Sequence, residues 1–229
     1  MDNMKLVFDE EKAFPLAEQR FITTCGFDMT TAKHKKMMNM GLKVREDGVE
    51  GIKIQALVEH YNGDVFKDHK IVVNGAEIFC NFFEQIPDEA VDGIYFYIIT
   101  AGECNFSSEE NIMDFLYADI WGTSYVDAGV ELLEKKLKED LDKDKYLSVC
   151  FGPGYFGMPV IETKNFFEIL DGNEIGVQVK DSGLMIPQKT CSGLYLVLNN
   201  NDIVFEKDCM KCHGNKSGCQ FCRTKQSKQ

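Results

Sequence analysis

No run of apolar residues in this 229-residue chain approaches the ~20 that a helix needs to cross a bilayer. The opening stretch, MDNMKLVFDEEKAF, has acidic flanks and an apolar segment too short for a secretory signal. The expected location is therefore cytoplasmic, with no membrane partner. The chain has no internal repeat and no low-complexity linker. It also lacks GxxxxGK[ST], HExxH and GxSxG, which removes the usual support for P-loop, zinc-protease and serine-hydrolase chemistry. His60 and His69 stand apart from obvious partners, and Cys150 has no histidine and carboxylate pattern to make it a nucleophile.

Hydrophobic residues make up 44% and charged residues 27%, an ordinary globular balance that lets a chain of this length bury a core. The formal charge of −12 is unevenly spread. From Cys209 onward there are Lys211, Lys216, Arg223, Lys225 and Lys228 and no acid, so the tail carries +5 and the body −17. An acidic body repels phosphates, so nucleic acid is not an expected partner. The basic tail either docks on something anionic or is simply solvated.

Of nine cysteines, Cys25, Cys80, Cys104, Cys150 and Cys191 are scattered, mostly within apolar runs, as buried thiols are. The other four spell Cys209-x2-Cys212-x6-Cys219-x2-Cys222. Two CxxC bites joined by a loop holding Gly and Ser can wrap four thiolates around one ion. Zinc and a [4Fe–4S] cluster both suit that donor set, and the spacing does not separate them. His213 is either a substitute ligand or an exposed loop residue. The split between scattered and clustered cysteines suits a reducing compartment with one metal site better than a disulfide framework.

Along the chain, DMTTAKHKKMMNMGLKV predicts a short helix ended by Gly41. GIKIQALVEHY alternates Ile52, Ile54, Ala56 and Val58 on one face, as a strand does. HKIVVNG predicts another strand with an Asn74–Gly75 turn behind it. AEIFCNFFEQI has helical spacing, and AVDGIYFYIITAG suits a central strand. The longest predicted helix runs from about Ser108 to Asp142, with SSEE as a capping-box start and an amphipathic second half. In its first half Asp119, Thr123 and Asp127 recur every four residues, a narrow polar stripe on an otherwise apolar helix. Either neighbouring backbone satisfies these groups or they line a ligand cleft, because buried carboxylates are costly without a partner. YLSVCF, IGVQVK, the two arms of SGLMIPQKTCSGLYLVL, and DIVFE read as strands, and TKNFFEIL as a short helix. Strands and helices alternate too irregularly for a doubly wound fold. The expected class is α+β, a mixed or antiparallel sheet flanked by helices over residues 1–208, with a Cys-rich appendix over 209–229.

Between these elements lies CFGPGYFGMP, Cys150 to Pro159, with three glycines and two prolines in ten residues. Such a stretch forms a turn whose backbone a ligand can approach closely, or a tight inter-strand turn with no ligand. Pro153-Gly154-Tyr155 is followed by a short helix and then by Ile175-Gly176-Val177, Asp181-Ser182, Met185-Ile186-Pro187 and Ser192-Gly193. This succession resembles the S-adenosylmethionine-binding activation domain of cobalamin-dependent methionine synthase, in a standalone form. The resemblance covers roughly Val72 to Leu198, including the long helix. It implies a bent sheet with flanking helices and a cofactor cleft floored by the glycine-rich turn. Asp127, Pro153, Gly154, Tyr155, Met185 and Ser192 are the implied S-adenosylmethionine-binding residues. The family typically places an arginine three residues before the proline of the turn, where it holds the methionine carboxylate. Cys150 stands there in this chain.

The resemblance implies an activation subunit, part of a methyltransferase, that supports reductive methylation of a corrinoid. That corrinoid is carried by a partner methyltransferase, since the chain lacks the Asp-x-His-x-x-Gly motif for ligating one itself. A flavodoxin- or ferredoxin-type reductant is the implied electron source. A non-catalytic adaptor or chaperone for a corrinoid protein, or an Fe–S electron donor to one, are the alternatives.

Overall fold

The computed structural model describes residues 2–103 and 111–203. The four-cysteine tail, most of DIVFE and the SSEE segment lie outside these residues. The chain opens with strand β1 (Asp2–Phe8) and helix α1 (Glu10–Cys25), neither of which the sequence patterns single out. The Asp9 carboxylate caps α1 by accepting from the Glu11 amide, and Gly26 closes it in the left-handed conformation. Helix α2 (Ala32–Gly48) starts at Thr31, whose hydroxyl accepts from the His34 amide.

Gly41 does not end α2 as expected; the helix runs through it. A Cβ there would lie 2.7 Å from the Phe21 ring, and the Gly41 carbonyl accepts the Trp121 indole N–H at 2.8 Å. Phe21 in turn stacks on Trp121 with centroids 4.1 Å apart. The glycine is there for close approach between helices, which outweighs its lower helix propensity.

Strands β2 (Ile54–Asn62), β3 (Phe66–Lys67), β4 (Lys70–Val73) and β5 (Ala76–Ile78) follow. Asn74 and Gly75, both at positive φ, make the expected turn between β4 and β5. The segment AEIFCNFFEQI is not a helix. Ala76 and Ile78 are buried on either side of exposed Glu77, as a strand paired with β4 requires, and a short 3-10 helix over Asn81–Gln85 then sets Phe83 inward. A short strand followed by a 3-10 turn copies the apolar spacing of an α-helix over so few residues.

Strand β6 (Val91–Thr100) is the apolar run expected at the centre, and α3 (Ile112–Asp140) is the long helix. Asn111 caps α3, accepting from the Met113 amide at 2.9 Å. In its second half Leu133 and Leu137 are buried, while Lys136–Asp140 and Lys138–Glu134 pair on the outer face. The remainder comprises β7 (Tyr146–Leu147), α4 (Thr163–Ile169), β8 (Gln178–Val179), β9 (Met185–Ile186) and β10 (Thr190–Leu198).

The main sheet has the order β1-β2-β6-β10-β7, every pair antiparallel. Two cores lie on its opposite faces. One holds Tyr97, Tyr195, Ile54 and Ile99 from the sheet with Trp121, Tyr125 and Phe21 from the helices. The other holds Leu194, Leu196, Phe96 and Ile98 against β4, β5, the 3-10 turn and α4. Strand β10 therefore alternates between two dry layers, which is why both of its faces are apolar in sequence. No helix among the described residues is long and apolar enough to cross a membrane.

Candidate ligand cleft

After β7 the chain touches β10 once more, at Phe151. The Phe151 amide donates to the Leu194 carbonyl at 2.9 Å, and the Leu194 amide donates back at 2.7 Å. The glycine-rich turn then folds on itself. The Tyr155 amide donates to the Gly152 carbonyl at 3.0 Å, the Met158 amide to Tyr155 at 2.9 Å and the Gly154 amide to Met158 at 2.9 Å. Gly154 has φ +89°, a conformation that L side chains rarely adopt, so the proline-glycine-tyrosine order is a backbone requirement. The turn is pinned from below. Met158 is buried, Phe156 packs on Phe151 and Phe82, and the Cys80 thiol donates to the Phe156 carbonyl. With its neighbours turned inward, Tyr155 is turned outward and is 69% exposed.

Facing this turn is the β8–β9 hairpin, closed by the Lys180 amide donating to Leu184 and the Gly183 amide to Lys180. A cis Ile186–Pro187 bond then leads into β10. Between the turn, the hairpin and the first residues of β10 lies a cleft of about 330 Å³. Pro153 and Tyr155 line it from the turn, Val160 from the 3-10 turn before α4 and Thr163 from the start of α4, Ser182 to Met185 from the hairpin, and Gln188 with Thr190 to Ser192 from β10 and its approach. Two of its hydroxyls are already committed: Thr163 donates to the Val160 carbonyl at 2.7 Å, and Thr190 to Thr100 at 2.9 Å. The Ser192 hydroxyl is buried without a hydrogen-bond partner. A buried polar group left unsatisfied costs about 1–3 kcal/mol, and a ligand in the cleft is one way to satisfy it.

Of the six residues that the resemblance implies, Pro153, Tyr155, Met185 and Ser192 line this cleft, and Gly154 shapes the turn between two of them. Asp127 is placed elsewhere. Its half-buried carboxyl faces Arg20 of α1 at 3.5 Å, and Arg20 also reaches Glu131 at 2.9 Å. Partial burial raises the Asp127 pKa above the ordinary value, with Arg20 pulling the other way. The rest of the polar stripe is held by Lys189, whose ammonium lies 2.6 Å from Asp119 and 3.0 Å from the Thr123 hydroxyl. The stripe thus clamps α3 to α1 and to the segment entering β10.

Cys150 points into the helix-side core, where its Sγ and the Tyr97 hydroxyl are hydrogen-bonded at 2.9 Å. Burial pushes its thiol pKa up to about 11. Tyr97 reaches it by crossing Gly193, where a Cβ would lie 2.7 Å from the Tyr97 oxygen and 2.8 Å from the Phe151 carbonyl oxygen. Gly193 is thus explained by this crossing. Cys191 lines the cleft, and burial raises its thiol pKa well above the ordinary value.

Sequence reasoning missed Val160, Thr163, Leu184 and Gln188. Ser182 belongs to the Asp181-Ser182 motif and Cys191 sits beside Ser192, and those were the available signals. Among the described residues no three of His, Cys, Asp or Glu gather as a metal site needs.

No described protein family and no curated protein matches the chain in sequence. In structure it is similar to a solved chain described as the crystal structure of the MetH reactivation domain bound to AdoHcy. The identity is 10%, the TM-score 0.63, and the match covers 89% of this chain and 81% of that one. That span is wider than the stretch over which the sequence patterns agree. The chain has the fold of a methionine synthase reactivation domain, with an antiparallel curled sheet flanked by helices.

Proposed function

We propose that this protein binds S-adenosylmethionine and its product S-adenosylhomocysteine in the cleft between the glycine-rich turn and β10. In this reading it is an activation subunit of a corrinoid methyltransferase. The observation that carries the reading is the buried, unpartnered Ser192 hydroxyl in the wall of a cleft that also gathers Pro153, Tyr155 and Met185. The similar solved structure, which holds AdoHcy, supports it.

The exposed Tyr155 ring offers a face for a purine, and Ser192 a hydrogen bond to a ribose or base atom. Pro153 and Met185 add apolar walls that keep water from the ligand. When bound, S-adenosylmethionine supplies an electrophilic methyl group for reductive methylation of a corrinoid carried by a partner. The electron comes from a flavodoxin- or ferredoxin-type donor. None of the cleft residues need act as acid or base, and the protein's contribution is position.

Cys209, Cys212, Cys219 and Cys222 are proposed to hold one metal centre, zinc or [4Fe–4S]; metal analysis and the absorbance of anaerobically purified protein separate the two. The proposed compartment is the cytoplasm. A second reading, a non-catalytic adaptor for a corrinoid protein, is favoured by Cys150 standing where the family has arginine.

The test is calorimetric titration of S-adenosylmethionine and S-adenosylhomocysteine into the purified protein. Ser192→Ala is expected to weaken binding about 2- to 12-fold, the worth of one neutral hydrogen bond. Tyr155→Ala, at an exposed site, is expected to weaken it roughly 5- to 150-fold through lost stacking. No heat at millimolar ligand overturns the cofactor reading. Capture of a corrinoid protein without the nucleoside then supports the adaptor.

A further inference from the structure

We infer that the cleft recognises the neutral 5′-thioadenosine portion of its ligand and leaves the amino-acid end unrecognised, so that its ligand class is 5′-thionucleosides as a whole. The inference rests on the nucleoside-binding reading above and narrows it.

Among the described residues that line the cleft, none is charged. Its polar groups are neutral hydroxyls and one amide, on Tyr155, Ser182, Ser192 and Gln188 among others, set between Pro153, Leu184 and Met185. That donor set suits a purine, a ribose and a thioether. It offers no cation to a carboxylate and no anion to an ammonium or a sulfonium.

The arginines among the described residues and Lys189 are committed elsewhere. The chain has three arginines, Arg20, Arg45 and Arg223. Arg20 is held by Asp127 and Glu131. Arg45 bonds Glu10 and Tyr125 and lies 4.0 Å over the Phe14 ring. Arg223 lies outside the described residues. Lys189 sits between the lining residues Gln188 and Thr190, yet its ammonium is turned to α3, with a side chain 18% exposed. Lys164 and Asp181 flank lining residues but pair with each other at 3.3 Å, the carboxylate fully in solvent. The position where the family has arginine carries a thiol, bonded to Tyr97 inside the helix-side core. The nucleoside half of S-adenosylmethionine fits these residues and the amino-acid half does not.

A hydrogen-bonded charge partner for the carboxylate would favour an amino-acid-bearing ligand by about 1.5–3 kcal/mol, roughly 10- to 150-fold. Without one, removing the amino acid costs little. The test is titration calorimetry on the full chain with S-adenosylhomocysteine, 5′-deoxy-5′-methylthioadenosine and free methionine, at low and high salt. The expected result is dissociation constants for the two nucleosides within about fivefold of each other, unchanged by salt, and no saturable heat from methionine. A preference for S-adenosylhomocysteine of more than about fivefold overturns the inference and leaves the functional reading standing. No binding by either nucleoside overturns both.

Discussion

Replacing Gly193 by alanine puts a methyl carbon 2.7 Å from the Tyr97 hydroxyl oxygen, 2.8 Å from the Phe151 carbonyl oxygen and 2.9 Å from the Tyr97 ring. The carbonyl is backbone, fixed by the paired hydrogen bonds between Phe151 and Leu194, so Tyr97 has to move first. Overpacking of this kind costs about 1–3 kcal/mol. Displacing Tyr97 also breaks its bond to Cys150, whose thiol keeps the longer contact to the Phe151 carbonyl at 3.7 Å, and this loss adds about 1 kcal/mol. The expected destabilisation is about 2–4 kcal/mol, or roughly 4–16 °C in Tm for a chain of this size. Urea unfolding should show a lower midpoint with an unchanged slope, since the surface exposed on unfolding is the same. In a Tyr97→Leu background the cost of the alanine should shrink but persist, because Phe151 remains. A Tm shift below about 1 °C in the wild-type background would refute the close-approach argument. An equal cost in both backgrounds would clear Tyr97 and leave Phe151 alone responsible.

Gly41→Ala should destabilise by about 1–2 kcal/mol despite better helix propensity, because the new methyl meets Phe21 stacked on Trp121; a gain in Tm would show that the ring shifts freely. Burial raises the Cys25, Cys80 and Cys150 thiols from 9.0 to about 11. Between about pH 9 and 11 the folded protein therefore keeps protons that the unfolded chain has released. Stability should be full below pH 9 and fall as pH rises to 11, read as urea midpoints in steps of one pH unit; a flat profile would contradict the burial of these thiols. Lys189→Met removes the ammonium that meets Asp119 and Thr123 while keeping the stem. It should cost about 0.5–1.5 kcal/mol and weaken nucleoside binding severalfold by loosening the Gln188–Ser192 segment; unchanged affinity would limit the pair to a role in folding.

The strands β6 and β10 were legible because both of their faces are buried over most of their length and their sequences are mostly apolar. The turn over Pro153–Tyr155 was legible because glycine and proline there serve the backbone itself. Helix α1 was not, although Ala13, Ala17 and Phe21 fall on one buried face. Two of those three are alanines, too small to mark a stripe. Gly41 misled because a close contact and a helix stop use the same residue, and only the partner, Phe21, tells them apart. The cleft was readable where it draws on one contiguous motif region. Val160 and Thr163 reach it only because the turn folds back on itself. The partner of Asp127 is Arg20, and nothing in the spacing of the long helix could name a residue 107 positions away.

Trp121 is the chain's single tryptophan, and the residues that close around it, Phe14, Phe21 and Gly41, all belong to α1 and α2. Neither of those helices contributes a side chain to the cleft. Tryptophan emission is therefore a single-site gauge of the helix layer. It should report melting of α1 and α2 cleanly and stay almost constant while the cleft fills. Tyr155, one of eight tyrosines, stands in the cleft, and under the proposed function its environment would change with occupancy. Comparing the two signals along one denaturation curve would show whether the two faces of the sheet come apart together or in turn.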